Sequence, residues 1–204
     1  MYGFSKKELE VIKKLNSPSK IQDFINNLGI NFELGKETCM SPRMVLREGK
    51  AHCMEGALLA AAILRFHGHR PLVVELHTNP KDEDHALALF KKDGKWGAIT
   101  KTNHSVLRYR EPIYKNVREL VMSYFHEYFD DNGRKNLRSY STPVDLSMFD
   151  KYGWMTAEED LWYINDYLSE VQHKNILTKS EISRLRKADK IEIDSGKLVD
   201  WKKP

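Results

Sequence analysis

Helical spacing of apolar residues, interrupted by short capping signals, dominates the first part of the chain. Residues 5–8 read Ser-Lys-Lys-Glu, a capping box that predicts a helix from about Lys6 to Leu15. A serine followed by a proline predicts a second helix within residues 17–29, which a glycine ends. The same signal predicts a third, short helix within residues 41–49.

An apolar helix and then short apolar strands follow. The helix begins at Cys53, carries the apolar run Ala57–Leu64 and is closed by Gly68. Beyond it the period changes from helical spacing to β-branched runs, and an Asp-Gly turn separates the last two of them. The predicted strands are Pro71–Leu76, His85–Lys91 and Lys95–Thr100, with a polar loop over residues 79–84. Together they predict an antiparallel sheet behind the Cys53 helix.

Helical signals return after the strands. Apolar residues at helical spacing predict a helix from Ile113 to Phe129. Capping boxes at Thr156 and Thr178 predict two more helices, the first of them running through Leu168, and residues 191–199 resemble a small hairpin. This order predicts an α+β fold in a single domain over residues 1–204. The domain divides into a helical N-terminal part (1–40), a core (41–112) and a helical C-terminal part (113–204).

Composition narrows the class of protein. Of the 204 residues, 41% are hydrophobic and 30% are charged, the balance of a globular domain. The net charge of +4 comes from basic residues scattered among acids, so we expect no nucleic-acid partner. The N-terminus lacks the apolar core of a secretory signal, and the longest apolar run is shorter than the roughly 20 residues that a membrane span needs. We therefore expect a cytoplasmic protein without membrane contact.

Cys39 and Cys53 are the two cysteines, and a structural disulfide between them is not expected in the cytoplasm. Because no Cys-x-x-Cys or His-x-x-x-His pair occurs, the sequence predicts neither a metal site nor a cofactor. A weaker alternative is a metal-dependent hydrolase built on an acidic loop. Its ligands would come from Asp82, Asp84, His85, His67, His69 and His77. These spacings match no closed site, and solvated loop charge explains the acids.

Cys53 is the most informative residue, because it stands where a loop ends and the apolar helix begins. The backbone N–H groups and the positive dipole end of a helix N-terminus favour the thiolate, the form that attacks carbonyls. His85 opens a predicted strand and is the candidate base. The plain alternatives are a buried structural cysteine and a surface histidine paired with neighbouring aspartates. The order of the elements favours the nucleophile.

This arrangement resembles the transglutaminase-like superfamily of papain-type cysteine enzymes. Residues 49–53, Gly-Lys-Ala-His-Cys, look like the family's G-x-x-x-C entry to its nucleophile helix. Residues 66–74 are similar to the step from helix through glycine to an apolar strand. Asp-His-Ala at 84–86 with Gly-Lys-Trp at 94–96 resembles the pair of strands written H-A-W and G-x-W. The match covers about Pro42 to Asn103, a third of the chain.

The resemblance implies a nucleophile at Cys53 and a base at His85. The family usually places an aspartate four residues after the tryptophan, where this chain has Thr100. Asn103 is the first candidate for orienting the histidine, as asparagine does in papain-like enzymes, and Thr100 is the alternative. Strand parity favours Thr100, since Asn103 shares the required face only if the strand has ended or bulged. The backbone N–H of Cys53, with His52 as a second donor, would form the oxyanion hole.

The implied activity is that of a cysteine hydrolase or acyltransferase acting on an amide bond through a thioester. The partner is then a peptide or a small amide substrate, and Trp96, His104 and Arg108 are the predicted substrate contacts. Residues 103–112 also fit an ordinary connecting segment. The alternative function is a catalytically inactive transglutaminase-like binding module, in which Thr100 marks the loss of the triad. The sequence leaves the oligomeric state open.

Overall fold

A computed structural model describes residues 2–79 and 82–202 and shows an α+β fold with an antiparallel sheet. Its helices are α1 (Lys6–Lys14), α2 (Pro18–Asn26), α3 (Pro42–Glu48), α4 (Cys53–Phe66), α5 (Val117–Met122), α6 (Trp162–Glu170), α7 (Lys179–Ser183) and α8 (Lys190–Gly196), with 3-10 helices at Phe125–Glu127 and Leu146–Tyr152. Its strands are β1 (Gly29–Ile30), β2 (Lys50–Ala51), β3 (Leu72–His77), β4 (His85–Lys92), β5 (Lys95–Ile99), β6 (Arg110–Tyr114), β7 (Ser139–Ser141), β8 (Val144–Asp145) and β9 (His173–Asn175).

The N-terminal helices and the three central strands lie where the sequence predicts them. Ser5, Ser17 and Ser41 each accept a hydrogen bond from a backbone N–H in the first turn of their helix. Gly49 has a φ of 67°, the left-handed conformation that ends α3 one residue before β2 begins. Of the predicted loop over residues 79–84, positions 80 and 81 lie outside the described part of the chain.

The main sheet has the strand order β6-β5-β4-β3-β7-β9, and β8 pairs with the start of β3. Antiparallel pairing of β3 with β4 sets Glu75 opposite Ala86 and Leu76 opposite His85. One face of the sheet packs against α4, whose residues 54–64 are all buried. The opposite face packs in a second cluster with α5 and the segment after it. This packing on both faces of the sheet holds the N-terminus of α4 beside the start of β4.

Three predictions for the C-terminal half are wrong. The helix predicted from Ile113 to Phe129 is shorter, because residues 110–114 form a strand that pairs with β5, and α5 begins after its cap at Asn116 and ends at Met122. The helix expected from Thr156 begins at Trp162, since Thr156 lies in a turn and donates its N–H to Gly153. The expected hairpin at 191–199 is mostly α8, which Asp189 opens with a capping box. Local capping therefore overrides the alternation of apolar residues in this tail.

No helix within the described ranges, 2–79 and 82–202, is long and apolar enough to cross a membrane.

Candidate active site

Cys53 is the first residue of α4, directly after the short strand β2. Its side chain is half-buried, and its Sγ lies 3.9 Å from the carbonyl oxygen of Asp84, the residue that precedes β4. The N–H groups in the first turn of a helix have no intrahelical acceptor, so they favour negative charge beside them. The fold thus places the thiol between a helix N-terminus and the start of a central strand, as the sequence predicts.

Two histidines, His52 and His85, neighbour the Cys53 thiol. Burial by itself would raise the pKa of Cys53, but hydrogen bonding to the two histidines and the charges of both imidazoles lower it to about 5. Burial likewise acts to lower the pKa of His52, and the hydrogen bond with Cys53 and the charge of Glu55 raise it to about 9. The arrangement favours a thiolate paired with an imidazolium at neutral pH.

The His52 ring is held in place through contacts at its Nε2 atom. Its Nε2 lies 2.9 Å from the carbonyl oxygen of Thr38, so Nε2 carries a proton and donates it. The same nitrogen lies 3.4 Å from Oε1 of Glu55 and 3.8 Å from Oε1 of Glu33. Two carboxylates beside one imidazole favour its protonated form, which is the charge that the thiolate needs nearby.

Glu55 is fully buried in the first turn of α4 and is saturated with donors. Its carboxylate accepts hydrogen bonds from the Asn31 side-chain amide, the Thr38 hydroxyl at 2.7 Å, and the backbone N–H groups of Met40 and His52, both at 3.0 Å. A buried carboxylate needs such donors, and these satisfy both of its oxygens. Glu55 therefore fixes His52 through both its backbone and its ring.

His85 is buried, and its partner on the far side of the ring is Thr100. The His85 Nε2 and the Thr100 Oγ1 are 2.6 Å apart. Thr100 is itself clamped by Gln22 of α2, whose side-chain amide donates to the Thr100 carbonyl at 2.8 Å and accepts from its N–H at 3.0 Å. The next residue, Lys101, donates from Nζ to the carbonyls of Ile25 and Leu28 near the end of the same helix. Helix α2 thus sets the position of the residue that orients His85.

Asn103, the first candidate for orienting His85, has another role. Its side chain donates to the carbonyl of Trp201 and accepts from the N–H of Trp201. Strand β5 ends at Ile99, and the chain then turns away, so Asn103 lies at the surface against the C-terminal tail. The structure thus corrects the assignment of Asn103, and Thr100, the alternative, makes the contact.

The oxyanion assignment holds for one of its two residues. Cys53 opens α4, so its backbone N–H points out of the helix end, as an oxyanion donor must. His52 does not fit the role of second donor, because its N–H is given to Glu55 and its Nε2 to Thr38. The structure makes His52 a partner of the thiol instead.

The thiol opens into a cleft with a volume of about 500 Å³. Residues from the Asp82–His85 segment, the loop after β5, the 3-10 segment near Tyr128 and helix α8 line it. Acidic lining residues outnumber the two lysines, Lys101 and Lys197. The acids are Glu33, Asp82, Glu83, Asp84, Glu127, Asp130 and Asp131. Acidic side chains therefore predominate in the lining of the cleft, although Arg110 pairs with Glu127 and Arg134 with Asp130.

Of the three predicted substrate contacts, only His104 lines this cleft, and its Nδ1 lies 2.8 Å from the carbonyl oxygen of Gly196 in α8. Trp96 lies at the other end of β5, beside the hairpin turn, where its ring packs under the Lys91 ammonium. Arg108 forms an ion pair with Asp200 at 2.6 Å. The expectations for Trp96 and Arg108 are therefore wrong, since both side chains are engaged elsewhere within the chain.

No protein-family model matches this sequence, and a search of functionally characterised proteins finds no significant match.

Sequence reasoning missed Glu55 and Gln22 as parts of the site, and it gave His52 a different role, that of an oxyanion donor. The sequence contained one signal for Glu55. It is the single charged residue between Cys53 and Leu64 in an otherwise apolar helix. A carboxylate in a helix that is buried all round must find donors nearby. Gln22 carried no such signal, since its contact with Thr100 spans 78 positions of the sequence.

Proposed function

We propose that this protein is a cysteine-dependent hydrolase or acyltransferase that acts on amide bonds, and a divergent member of the transglutaminase-like superfamily. The observation that carries the proposal is the half-buried Cys53 thiol, which begins α4 and lies beside two histidines that lower its pKa to about 5. The order of cysteine helix, histidine strand and antiparallel sheet supports the family assignment. Both cysteines are free thiols, which fits the cytoplasmic location that we propose.

In the proposed reaction, the Cys53 thiolate attacks the carbonyl carbon of the amide and the C=O electron pair moves onto oxygen. The N–H of Cys53 at the helix end stabilises that oxyanion. The tetrahedral intermediate then collapses, the C–N bond breaks, and His85 gives a proton to the leaving nitrogen. Water or an amine next attacks the thioester, loses a proton to the same imidazole and releases the thiolate.

The two histidines have different roles in the proposed reaction. His85 lies in the buried wall of the cleft, and Thr100 holds its ring, so it is the residue that we assign to proton transfer. His52 is surrounded by Thr38, Glu33 and Glu55, which keep it charged. It therefore serves as a positioning residue that stabilises the thiolate electrostatically.

The charge of the cleft indicates the class of substrate. Carboxylates surround the thiol, and substrates with basic groups next to the reacting amide gain attraction from them. An acidic substrate would meet repulsion, and Arg108, the side chain that could have offset it, is paired with Asp200. We therefore propose peptides or small amides that carry Lys, Arg or another amine.

The experiment is to trap the acyl-enzyme. The protein is incubated with activated esters of N-acylated lysine, and intact-protein mass spectrometry measures the mass added, with the modified residue located by proteolysis. We expect one acyl group on Cys53, lost in Cys53→Ala and retained in the matched variant Cys39→Ala, because Cys39 is buried away from the cleft.

A matched ester of N-acylated glutamate tests the charge preference in the same assay, and we expect it to acylate more slowly. If Cys53 forms no adduct with any ester while the protein stays folded by circular dichroism, the enzyme proposal is wrong. The binding-module function then takes its place.

A further inference from the structure

A second cluster of ionisable side chains lies at the other side of the Asp82–His85 segment. It consists of Glu75 and His77 on β3 and His173 on β9. One ligand atom from each lies within 4.8 Å of the others, and Oε2 of Glu75 is 3.9 Å from Nε2 of His173. The two imidazole rings approach edge to face with their centroids 5.3 Å apart.

The sheet brings the three residues together. Glu75 and His77 are two apart on β3, so their side chains share the face that packs against α4. Strand β7 lies between β3 and β9, and it pairs Ser139 with His77 and Ser141 with His173. Both serines are small and buried, which leaves room for the larger side chains to meet across the strand.

Glu75 has an unsatisfied oxygen at the centre of this cluster. The residue is only 5% exposed, and its Oε2 has no hydrogen-bond partner among the described residues; the same holds for the buried Nδ1 of His173. Buried carboxylate oxygens are usually paired with donors or with metals, so this oxygen is available to bind a cation.

The surroundings fit a site for a metal ion. The Nδ1 of His77 lies 2.7 Å from Oδ2 of Asp84, whose other oxygen accepts from the N–H of Thr78 at 2.8 Å. A histidine that donates one ring nitrogen to a carboxylate presents the other, unprotonated nitrogen to a metal. His173 has a similar acceptor in the carbonyl of Leu168, 3.2 Å from its Nε2. His77 is half exposed, which gives an ion a path from solvent.

We propose that Glu75, His77 and His173 bind a divalent transition-metal ion such as Zn²⁺, with the remaining coordination taken by water. Two imidazoles with one carboxylate suit Zn²⁺ and its neighbours, whereas Mg²⁺ and Ca²⁺ prefer all-oxygen sites. Ligands at about 2.0–2.1 Å in a tetrahedral site are roughly 3.3 Å apart, so ligand atoms that lie within 4.8 Å of one another must close by up to about 1.5 Å when the ion binds. The proposal stands independently of the chemistry at Cys53.

This site replaces the expectation of no metal and the weaker one of ligands on the acidic loop. Of those loop and histidine candidates, only His77 belongs to the cluster, while His85 bonds Thr100 and His67 bonds the carbonyl of Ile12. The sequence held one signal, a single carboxylate within the apolar run Pro71–Leu76. Nothing local connects that run to His173, almost a hundred positions away.

The test is a Zn²⁺ titration of the full chain, freed of metal by chelator, against a chromophoric competitor. The titration uses a Cys53→Ser background, which removes the thiol as a competing ligand. We expect one equivalent to bind, and Co²⁺ in its place to give visible d–d bands without a thiolate charge-transfer band. A large excess of Mg²⁺ or Ca²⁺ should not displace the ion.

Substitutions in the cluster test whether its residues are the ones that bind Zn²⁺. Glu75→Gln and His77→Gln should each weaken Zn²⁺ binding at least about tenfold. The matched control His69→Gln, at an exposed histidine, should leave it unchanged. The proposal is overturned if the Cys53→Ser protein binds no Zn²⁺ ion tightly. It is also overturned if Zn²⁺ binding is unchanged in both Glu75→Gln and His77→Gln. Because His77 is half exposed, its variant keeps the test decisive if Glu75→Gln fails to fold.

Discussion

The pH dependence of Cys53 alkylation is the sharpest test of the thiolate assignment. The hydrogen bonds of His52 and His85 lower the pKa of Cys53 to about 5, against about 8.5 for a free cysteine. Iodoacetamide reacts with the thiolate, so its rate follows the ionised fraction. We therefore expect the rate to rise through about pH 5 and then to stay flat up to alkaline pH.

The alkylation rate of Cys53 relative to that of an ordinary thiol depends on two opposing effects. At about pH 6, a thiol with a pKa near 5 is about 90% ionised, whereas an ordinary thiol is about 0.3% ionised, a gain of roughly 300-fold. A thiolate of lower pKa is also less nucleophilic, and a Brønsted slope of about 0.4–0.5 costs roughly 40-fold over this shift. The expected advantage over an ordinary thiol is about sevenfold at pH 6, and it reverses at about pH 7, where an ordinary thiol becomes roughly 3% ionised.

The assay measures the second-order rate constant for labelling of Cys53 at each pH, with mass spectrometry used to monitor the labelling. Cys39 is an internal control, because burial raises its pKa to about 12 and it should not react in the folded protein. His52→Ala and His85→Ala should each move the midpoint upward, since each removes a hydrogen bond to the thiolate. His69→Ala is the matched variant at an exposed histidine, and it should not move the midpoint.

A rate that rises tenfold per pH unit up to about 8.5 in the wild-type protein would refute the ion-pair assignment. So would a midpoint near 5 that neither histidine substitution shifts. In the second case the helix N-terminus alone would account for the acidity of the thiol.

Three further predictions concern the supports of the site and its selectivity. Thr100→Val leaves the Nε2 of the proposed base buried without its partner, so we expect slower acylation and a loss of about 1–3 kcal/mol in urea unfolding, with Thr100→Ser close to wild type. Gly56→Ala sets a Cβ 2.4 Å from the Cβ of Lys101, and we expect overpacking to lower the free energy of unfolding by about 1–3 kcal/mol. Raising the salt concentration should reduce kcat/KM for lysine-bearing esters more than for neutral ones, because salt screens the acidic cleft.

Sequence reasoning succeeded where the signals are local. The serine caps of α1, α2 and α3, the Asp-Gly turn between β4 and β5, and the position of Cys53 at the start of α4 depend on a few neighbouring residues. The pairing of Cys53 with His85 also followed, because the order of helix and strands constrains which ends can meet.

It failed where distant parts of the chain decide the structure. Ile113 begins the run of helically spaced apolar residues and yet lies in strand β6, because β5 offers an edge to pair with. Asn103 was a reasonable partner for His85, but the tail around Trp201 takes both of its side-chain atoms. Contacts of this kind span about a hundred positions, and no pattern within one segment can reveal them.

We expect opposite effects on stability when the buried glutamates Glu55 and Glu75 are each replaced by glutamine. The reason is that the two side chains have different hydrogen-bond partners. Glu55 accepts from four residues, and the carboxylate is part of a satisfied network. Glu55→Gln directs an amide N–H₂ group at those donors, so we expect it to lower the urea midpoint clearly. Glu75 has an oxygen without a partner among the described residues, so in chelator-treated protein Glu75→Gln breaks no hydrogen bond to that oxygen.

We therefore expect metal-free Glu75→Gln to unfold at a urea midpoint equal to or above that of wild type. Adding Zn²⁺ should then raise the midpoint of wild type and not that of the variant, because an ion that binds only the folded state stabilises it. If metal-free Glu75→Gln is as destabilised as Glu55→Gln, Glu75 is already satisfied within the chain. Its burial would then require no cation, and the argument for a metal at this cluster would lose its main support.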